Sequence, residues 1–160
     1  MSKIMGFVGF SNSGKTTVIS NLIKIFSQRG LQAAAIKHAS HGYQIDTPGK
    51  DSYQHFQAGA TRVVLIGPDS MTTHQRLTSM PPLQEILQEM DDVDIVLVEG
   101  FKQDVSPKIL VYRAEGQKDP GFPPGVYEAL ISDSVLPLQV PSFTFQEMEK
   151  VADFIVHHGQ

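Results

Sequence analysis

The sequence predicts a layered α/β domain with a mostly parallel sheet flanked by helices, and three observations lead there. Short apolar runs alternate with helical patterns along the chain, as successive strand–helix–strand units require. A glycine-bounded loop, Gly9–Thr16, stands between the first apolar run and the first helical pattern. The most apolar run, Val93–Val98, reads as a strand beside the first, in the centre of the sheet. At 160 residues the chain fits one domain over 1–160.

Taken in order, Ile4–Val8 reads as a buried first strand. Val18, Ile19, Leu22, Ile23 and Phe26 recur at helical spacing, and Gly30 closes that helix as its C-terminal cap. Ala33–Ile36 is the second strand. Lys37–Lys50 has no period and carries two His, two Gly and a Pro, so it is read as a loop. A short helix over Asp51–Ala58 precedes a strand over Arg62–Ile66. Pro81 and Pro82 open a helix that runs through Met90, proline being tolerated in a first turn. Lys108–Tyr112 and Ala129–Ser132 are further strands, separated by a Gly/Pro-rich surface loop over Gly116–Gly125. The last helix is expected to start at Thr144, with Glu147 in capping-box spacing, and to bury Met148, Val151, Ala152 and Ile155.

Composition excludes several classes. A net charge of −4 and a hydrophobic share of 41% describe an ordinary globular core and argue against a nucleic-acid or anionic-membrane partner. Cysteine is absent, which removes disulfides, thiolate metal sites and a cysteine nucleophile. No apolar run reaches the ~18 residues of a membrane helix, and no leader pattern precedes the first strand, so a soluble cytoplasmic protein is expected.

The loop Gly9-Phe10-Ser11-Asn12-Ser13-Gly14-Lys15-Thr16 matches G-x-x-x-x-G-K-[ST] in full. Its place between a strand and a helix makes the expected fold that of a single-domain P-loop NTPase. Glycines let successive backbone N–H groups of Ser11, Asn12, Ser13 and Gly14 face phosphate oxygens, with the positive end of the following helix behind them. Lys15 is expected to reach the β- and γ-phosphates, Thr16 to place its hydroxyl on magnesium, and Thr17 to bond the α-phosphate. Such a site also needs a carboxylate at the end of a neighbouring buried strand. Glu99, followed by Gly100, stands at the C-terminal end of the central strand, where parallel sheets bind ligands. Asp94 stands at the opposite end. Asp51 is a second candidate metal ligand, and an N-cap role is the alternative for it.

The loop after the second strand brings Lys37, His38, His41, Asp46, Lys50 and Asp51 toward the γ-phosphate side. His38 and His41 are open to three readings: anion or substrate contact, zinc or nickel binding without the cysteines that such sites favour, or a solvated loop. The Asn-Lys-x-Asp guanine motif is absent, and guanine's two N–H donors suit a carboxylate. Asp133, after a late strand, is the candidate base reader, with a turn-forming Ser132–Asp133 as the alternative. No glutamine or arginine is placed by sequence to position a water, so slow hydrolysis is expected.

Several segments together resemble the MobB family of molybdopterin-guanine dinucleotide biosynthesis accessory proteins. They are Gly9–Thr17, Ile36-Lys37-His38 leading to Pro48-Gly49-Lys50-Asp51-Ser52-Tyr53, Ala58-Gly59-Ala60, and Val98-Glu99-Gly100-Phe101-Lys102. The resemblance covers almost the whole chain. It implies a homodimeric GTP-binding protein with weak GTPase activity that assists the guanylyltransferase attaching GMP to molybdopterin. It further implies that Lys15 and Thr16 carry phosphates and magnesium, that Asp51 and Glu99 join the metal site, and that Lys37, Lys50 and Lys102 contact phosphate or the pterin. The layout is also similar to dethiobiotin synthetase, which keeps a small-molecule kinase as an alternative, and a nucleotide-switched metal-delivery adaptor through His38 and His41 is a third.

Overall fold

In a computed structural model of the protein, residues 1–115 and 122–159 are described. The expected Gly116–Gly125 loop falls largely outside them, at 116–121. The chain forms two compact units, Met1–His38 with Pro82–Gln160, and Ala39–Pro81.

In the first unit six strands form one parallel sheet. They are β1 (Lys3–Val8), β2 (Ala33–Lys37) and, after the second unit, β5 (Ile95–Glu99), β6 (Lys108–Tyr112), β7 (Ala129–Ser132) and β8 (Ser142–Phe143). Their order is β2-β5-β1-β6-β7-β8, and every neighbouring pair is parallel. β5 lies beside β1, as its apolar sequence predicts, but one strand in from the β2 edge rather than at the sheet centre.

Alternate residues of the central strands feed two separate cores. Met5, Phe7, Ile95, Leu97, Ile109, Val111 and Ile131 pack with α1 (Lys15–Gln28) and α4 (Met148–His157) on one face. Val8, Val96, Val98, Leu110, Tyr112 and Leu130 face the other way, toward Leu83, Phe101, Val105 and Tyr127. A strand buried on both sides needs apolar residues at every position, which is why these runs show no polar alternation. The α1 stripe is Val18, Ile19, Leu22, Ile25 and Phe26. Arg29 ends that helix, Gly30 follows with φ 75°, and Leu31 N–H donates back to the Phe26 carbonyl at 2.9 Å, so the glycine cap forms as expected. Arg29 also pairs with Glu149 at 2.6 Å and Asp153 at 2.8 Å, tying α1 to α4.

Two helix boundaries are corrected. The helix expected from Pro81 through Met90 is only α3, Leu83–Gln88, with Pro82 at the N-cap. Glu89, Asp91 and Asp92 crowd acid at its C-terminal end, where the helix dipole disfavours it. The last helix begins at Met148 rather than Thr144. The Glu147 carboxylate does accept the Thr144 N–H at 2.9 Å, but this closes a turn ahead of the helix. The first helical bond runs from Val151 N–H to the Glu147 carbonyl.

The second unit holds α2 (Asp51–Gln57) and an antiparallel hairpin of β3 (Arg62–Ile66) and β4 (Met71–Gln75). β3 was expected, but its place in a separate two-stranded sheet was not. β4 and the two-residue β8 were not anticipated at all. Met71-Thr72-Thr73-His74-Gln75 carries one large apolar residue, so it has no hydrophobic period. The Gly67-Pro68-Asp69-Ser70 turn, closed by Gly67 N–H on the Ser70 carbonyl at 2.8 Å, was the available hairpin signal.

Candidate nucleotide site at the carboxyl end of the sheet

The loop from Gly9 to Thr16 leaves β1 at its carboxyl end and enters α1. Its path needs left-handed backbone at Asn12 (φ 63°) and Gly14 (φ 96°), conformations that asparagine and glycine tolerate best. At Gly9 the constraint is space, because a Cβ there would lie 2.3 Å from the Val111 carbonyl oxygen and 2.9 Å from Ser13 Oγ. Ser13 itself is fully buried. Gly14 caps α1 without any side-chain hydrogen bond, so the first-turn N–H groups and the positive helix end face the loop.

Four functional side chains meet here. Lys15 Nζ donates to the Gly9 carbonyl at 3.1 Å and the Phe10 carbonyl at 2.7 Å, lying across its own loop. Thr16 Oγ1 is 3.3 Å from each oxygen of the Glu99 carboxylate. Lys37 Nζ, from the end of β2, lies 3.4 Å from Glu99 Oε1. Partial burial lowers the Lys15 ammonium below the usual lysine range; Glu99 opposes that shift, while Lys102 and Lys37 add to it. Lys15 therefore feels both Lys37 and Lys102 as well as the Glu99 carboxylate, an arrangement whose excess positive charge suits a polyanion.

The chain turns sharply after Glu99. Gly100 (φ 92°) and Phe101 (φ 49°) are both left-handed, and a Cβ on Gly100 would come 3.0 Å from His38 Cβ. His38 N–H donates to the Glu99 carbonyl at 2.9 Å, and its ring stacks on buried Phe101 with centroids 4.7 Å apart. His38 is thus held as part of the strand-end packing. Asp94 lies at the other end of β5, where its carboxylate accepts the Gln32 N–H at 2.8 Å.

On the other flank of the loop, sequence reasoning passed over Arg113 and Phe145. The Arg113 guanidinium lies 4.4 Å over the Phe145 ring, and both reach within 3.4 Å of a Cβ built at Gly14. They line a 680 Å³ cavity with Ser132, Asp133, Thr144 and Gln146, a size suited to a small-molecule ligand. The available signal was an arginine one residue past a buried strand, at the ligand-binding end of the sheet. Asp133 Oδ1 accepts the Ala114 N–H at 2.8 Å and the Ser134 hydroxyl at 2.9 Å. These bonds, the Ala114 one foremost, hold its carboxyl below the usual range. A depressed pKa stabilises the fold above the unfolded carboxylate value of ~3.9 and ceases to do so as pH falls through the folded value. Asp133→Asn is therefore expected to lower Tm at pH 7, with the gap to the parent protein closing below about pH 4 in a thermal melt series.

The remaining sequence candidates lie in the second unit. His41 precedes a left-handed Gly42, Lys50 occupies the N-cap of α2, and Asp51 is its first helical residue. The N-cap alternative for Asp51 is thereby replaced by a first-turn position, where an acid complements the helix dipole. Among the described residues no three His, Cys, Asp or Glu side chains gather as a metal centre.

Fold and loop together define a parallel α/β protein of the P-loop type. The family described as "Molybdopterin guanine dinucleotide synthesis protein B" matches residues 4–132. The chain is 32% identical to the molybdopterin-guanine dinucleotide biosynthesis adapter protein of Haemophilus influenzae, over 97% of this chain and 90% of that one. It is 33% identical to the adapter protein of the same name from Escherichia coli, over 100% and 95%. The crystal structure of Bacillus subtilis MobB superposes with a TM-score of 0.75 at 30% identity, covering 96% of each chain. This chain belongs to the MobB family.

Proposed function

We propose that the chain is an adapter in molybdopterin guanine dinucleotide biosynthesis that binds GTP with Mg²⁺ at the Gly9–Thr17 loop and hydrolyses it slowly. In this reading it acts in the cytoplasm as a homodimer beside the guanylyltransferase that attaches GMP to molybdopterin. The adapter role follows the named relatives. The nucleotide role is carried by one observation, the convergence of Lys15, Thr16 and Glu99 at the carboxyl end of β1 and β5.

The donor set fits magnesium. A hydroxyl and a carboxylate 3.3 Å apart are hard oxygen donors, and Mg²⁺ in nucleotide sites takes one or two protein ligands and fills the rest with phosphate and water. Thr16 and Glu99 would hold it, and the ion would neutralise phosphate charge. Glu99→Gln is expected to weaken GTP binding in the presence of magnesium by roughly tenfold or more, equivalent to about 1.4 kcal/mol. Binding without magnesium should change far less, and equal losses under both conditions would remove Glu99 from the metal site.

For the base, the 680 Å³ cavity beside Gly14 offers Asp133 on its wall, and a carboxylate suits the two N–H donors of guanine. Lys37, His38 and Lys102 stand on the opposite flank as contacts for the γ-phosphate or for phosphate on the pterin. Dimerisation is supported by the hairpin of the second unit. There Val64, Leu65, Ile66 and Met71 are 48–72% exposed on two edge strands, a surface that isolated monomers usually blunt. The reading is tested by adding the purified protein, with and without GTP and Mg²⁺, to a guanylyltransferase assay. A GTP-dependent rise in dinucleotide formation is expected, and no change at any ratio would overturn the adapter role.

A further inference from the structure

A second cavity, of 310 Å³, lies wholly within the Ala39–Pro81 unit. Four aromatic rings line it, Tyr43, Tyr53, Phe56 and His74, together with the polar side chains of Asp46 and Gln57. None of the α2 residues is buried, so these rings do not form a closed core. Tyr43 is 70% exposed. An aromatic wall that is left open offers stacking area to a planar ligand.

The wall is held by stacking and hydrogen bonds. The His74 and Phe56 rings stack at 3.7 Å with an interplanar angle of 11°. The Arg76 guanidinium lies 4.1 Å over Phe56, and Arg76 donates to the carbonyls of both Phe56 and Ala60. His74 Nδ1 is buried without a hydrogen-bond partner. A phenylalanine would stack equally well there without that unmet polar group, so the imidazole is a costly choice for packing alone. Asp46 is half-buried, and its Oδ1 accepts the Thr47 N–H at 2.7 Å, which orients the carboxylate and leaves Oδ2 and a second lone pair of Oδ1 to act on a ligand. A fixed carboxylate beside stacked rings matches a bicycle whose edge presents an amino group next to a ring N–H.

We propose that this cavity binds a planar bicyclic heteroaromatic through its 2-amino-4-oxopyrimidine edge, the edge shared by pterins and guanine. Tyr43 and the outer face of His74, backed by Phe56, hold the ring faces, and Asp46 takes the amino and N–H donors. The site is separate from the Gly9–Thr17 loop and does not depend on what that loop binds.

Fluorescence titration of the full chain with neopterin tests this, with guanosine and lumazine as comparison ligands. Lumazine carries a carbonyl in place of the amino group. Neopterin or guanosine is expected to bind saturably, with lumazine roughly tenfold weaker or worse. Tyr43→Ala and Asp46→Asn are each expected to weaken the bound ligand by roughly tenfold. Asparagine keeps an acceptor for the Thr47 N–H, so the second variant separates recognition from folding. Lys15→Ala should leave this binding intact. Tighter neopterin would assign the site to pterins, and tighter guanosine would assign it to a guanine base. Absence of saturable binding by either, affinities unchanged in both variants, or binding lost in Lys15→Ala would overturn the proposal.

Discussion

Lys15→Ala is expected to abolish triphosphate binding while leaving the protein folded. The ammonium lies across the loop within hydrogen-bond reach of the Gly9 and Phe10 carbonyls, the arc that a triphosphate would share. Hydrogen bonds to charged groups contribute about 1.5–3 kcal/mol each. Loss of contacts to two phosphates should therefore weaken binding by roughly 10²–10⁴-fold. The fold is insulated from the change, since Lys15 is the first residue of α1 and the buried stripe starts at Val18. Tm should move by no more than about 4 °C. Binding at parental strength in the variant would mean that the loop does not hold phosphate.

Gly9→Ala has the opposite profile, a loss of stability first and of binding as a consequence. The added Cβ would meet the Val111 carbonyl oxygen at 2.3 Å. That oxygen belongs to the backbone of β6, the strand paired directly with β1, and both are buried. No rotamer change relieves a backbone clash, so the two strands would have to part at the mouth of the site. The cost is expected at about 3 kcal/mol or more, a fall in Tm of roughly 6–12 °C. A thermal melt within about 2 °C of the parent would show that the loop has slack not visible in its packing. The same methyl would also press on buried Ser13 at 2.9 Å, so a folded fraction should bind nucleotide poorly.

The parallel sheet and the loop were legible because both depend on local chemistry. Strands buried on two faces must be apolar throughout, and Ile95–Glu99 and Lys108–Tyr112 announce themselves that way. Gly9, Gly14, Lys15 and Thr16 are dictated by backbone space and phosphate charge, which fix residue type at fixed spacing. Glu99 was also legible, since position at a strand's carboxyl end followed by a turn-permitting Gly100 is a sequence property.

Features that depend on partners distant in sequence were not legible. Arg113 has no meaning until Phe145, far along the chain, stacks beneath it. β4 is polar and borrows its pairing from β3, so no hydrophobic period marks it. The extent of α3 was overread because helix propensity runs on past Gln88 while the acidic cluster behind it opposes the dipole. The Thr144–Glu147 pair formed its expected bond but in a turn, since short-range capping chemistry serves turns and helices alike. The separation of Ala39–Pro81 as its own compact unit was masked at both ends, since one boundary falls inside the Lys37–Lys50 loop and the other at Pro81–Pro82, a proline pair that reads equally as a helix start.

The central claim is that the Gly9–Thr17 loop with Glu99 forms a magnesium-dependent guanine nucleotide site. Calorimetric titration of the purified protein with GTP and ATP, each with and without Mg²⁺, tests it most directly. Magnesium-dependent binding with a clear preference for GTP is the predicted result. Equal or tighter binding of ATP, or binding indifferent to magnesium, would contradict it.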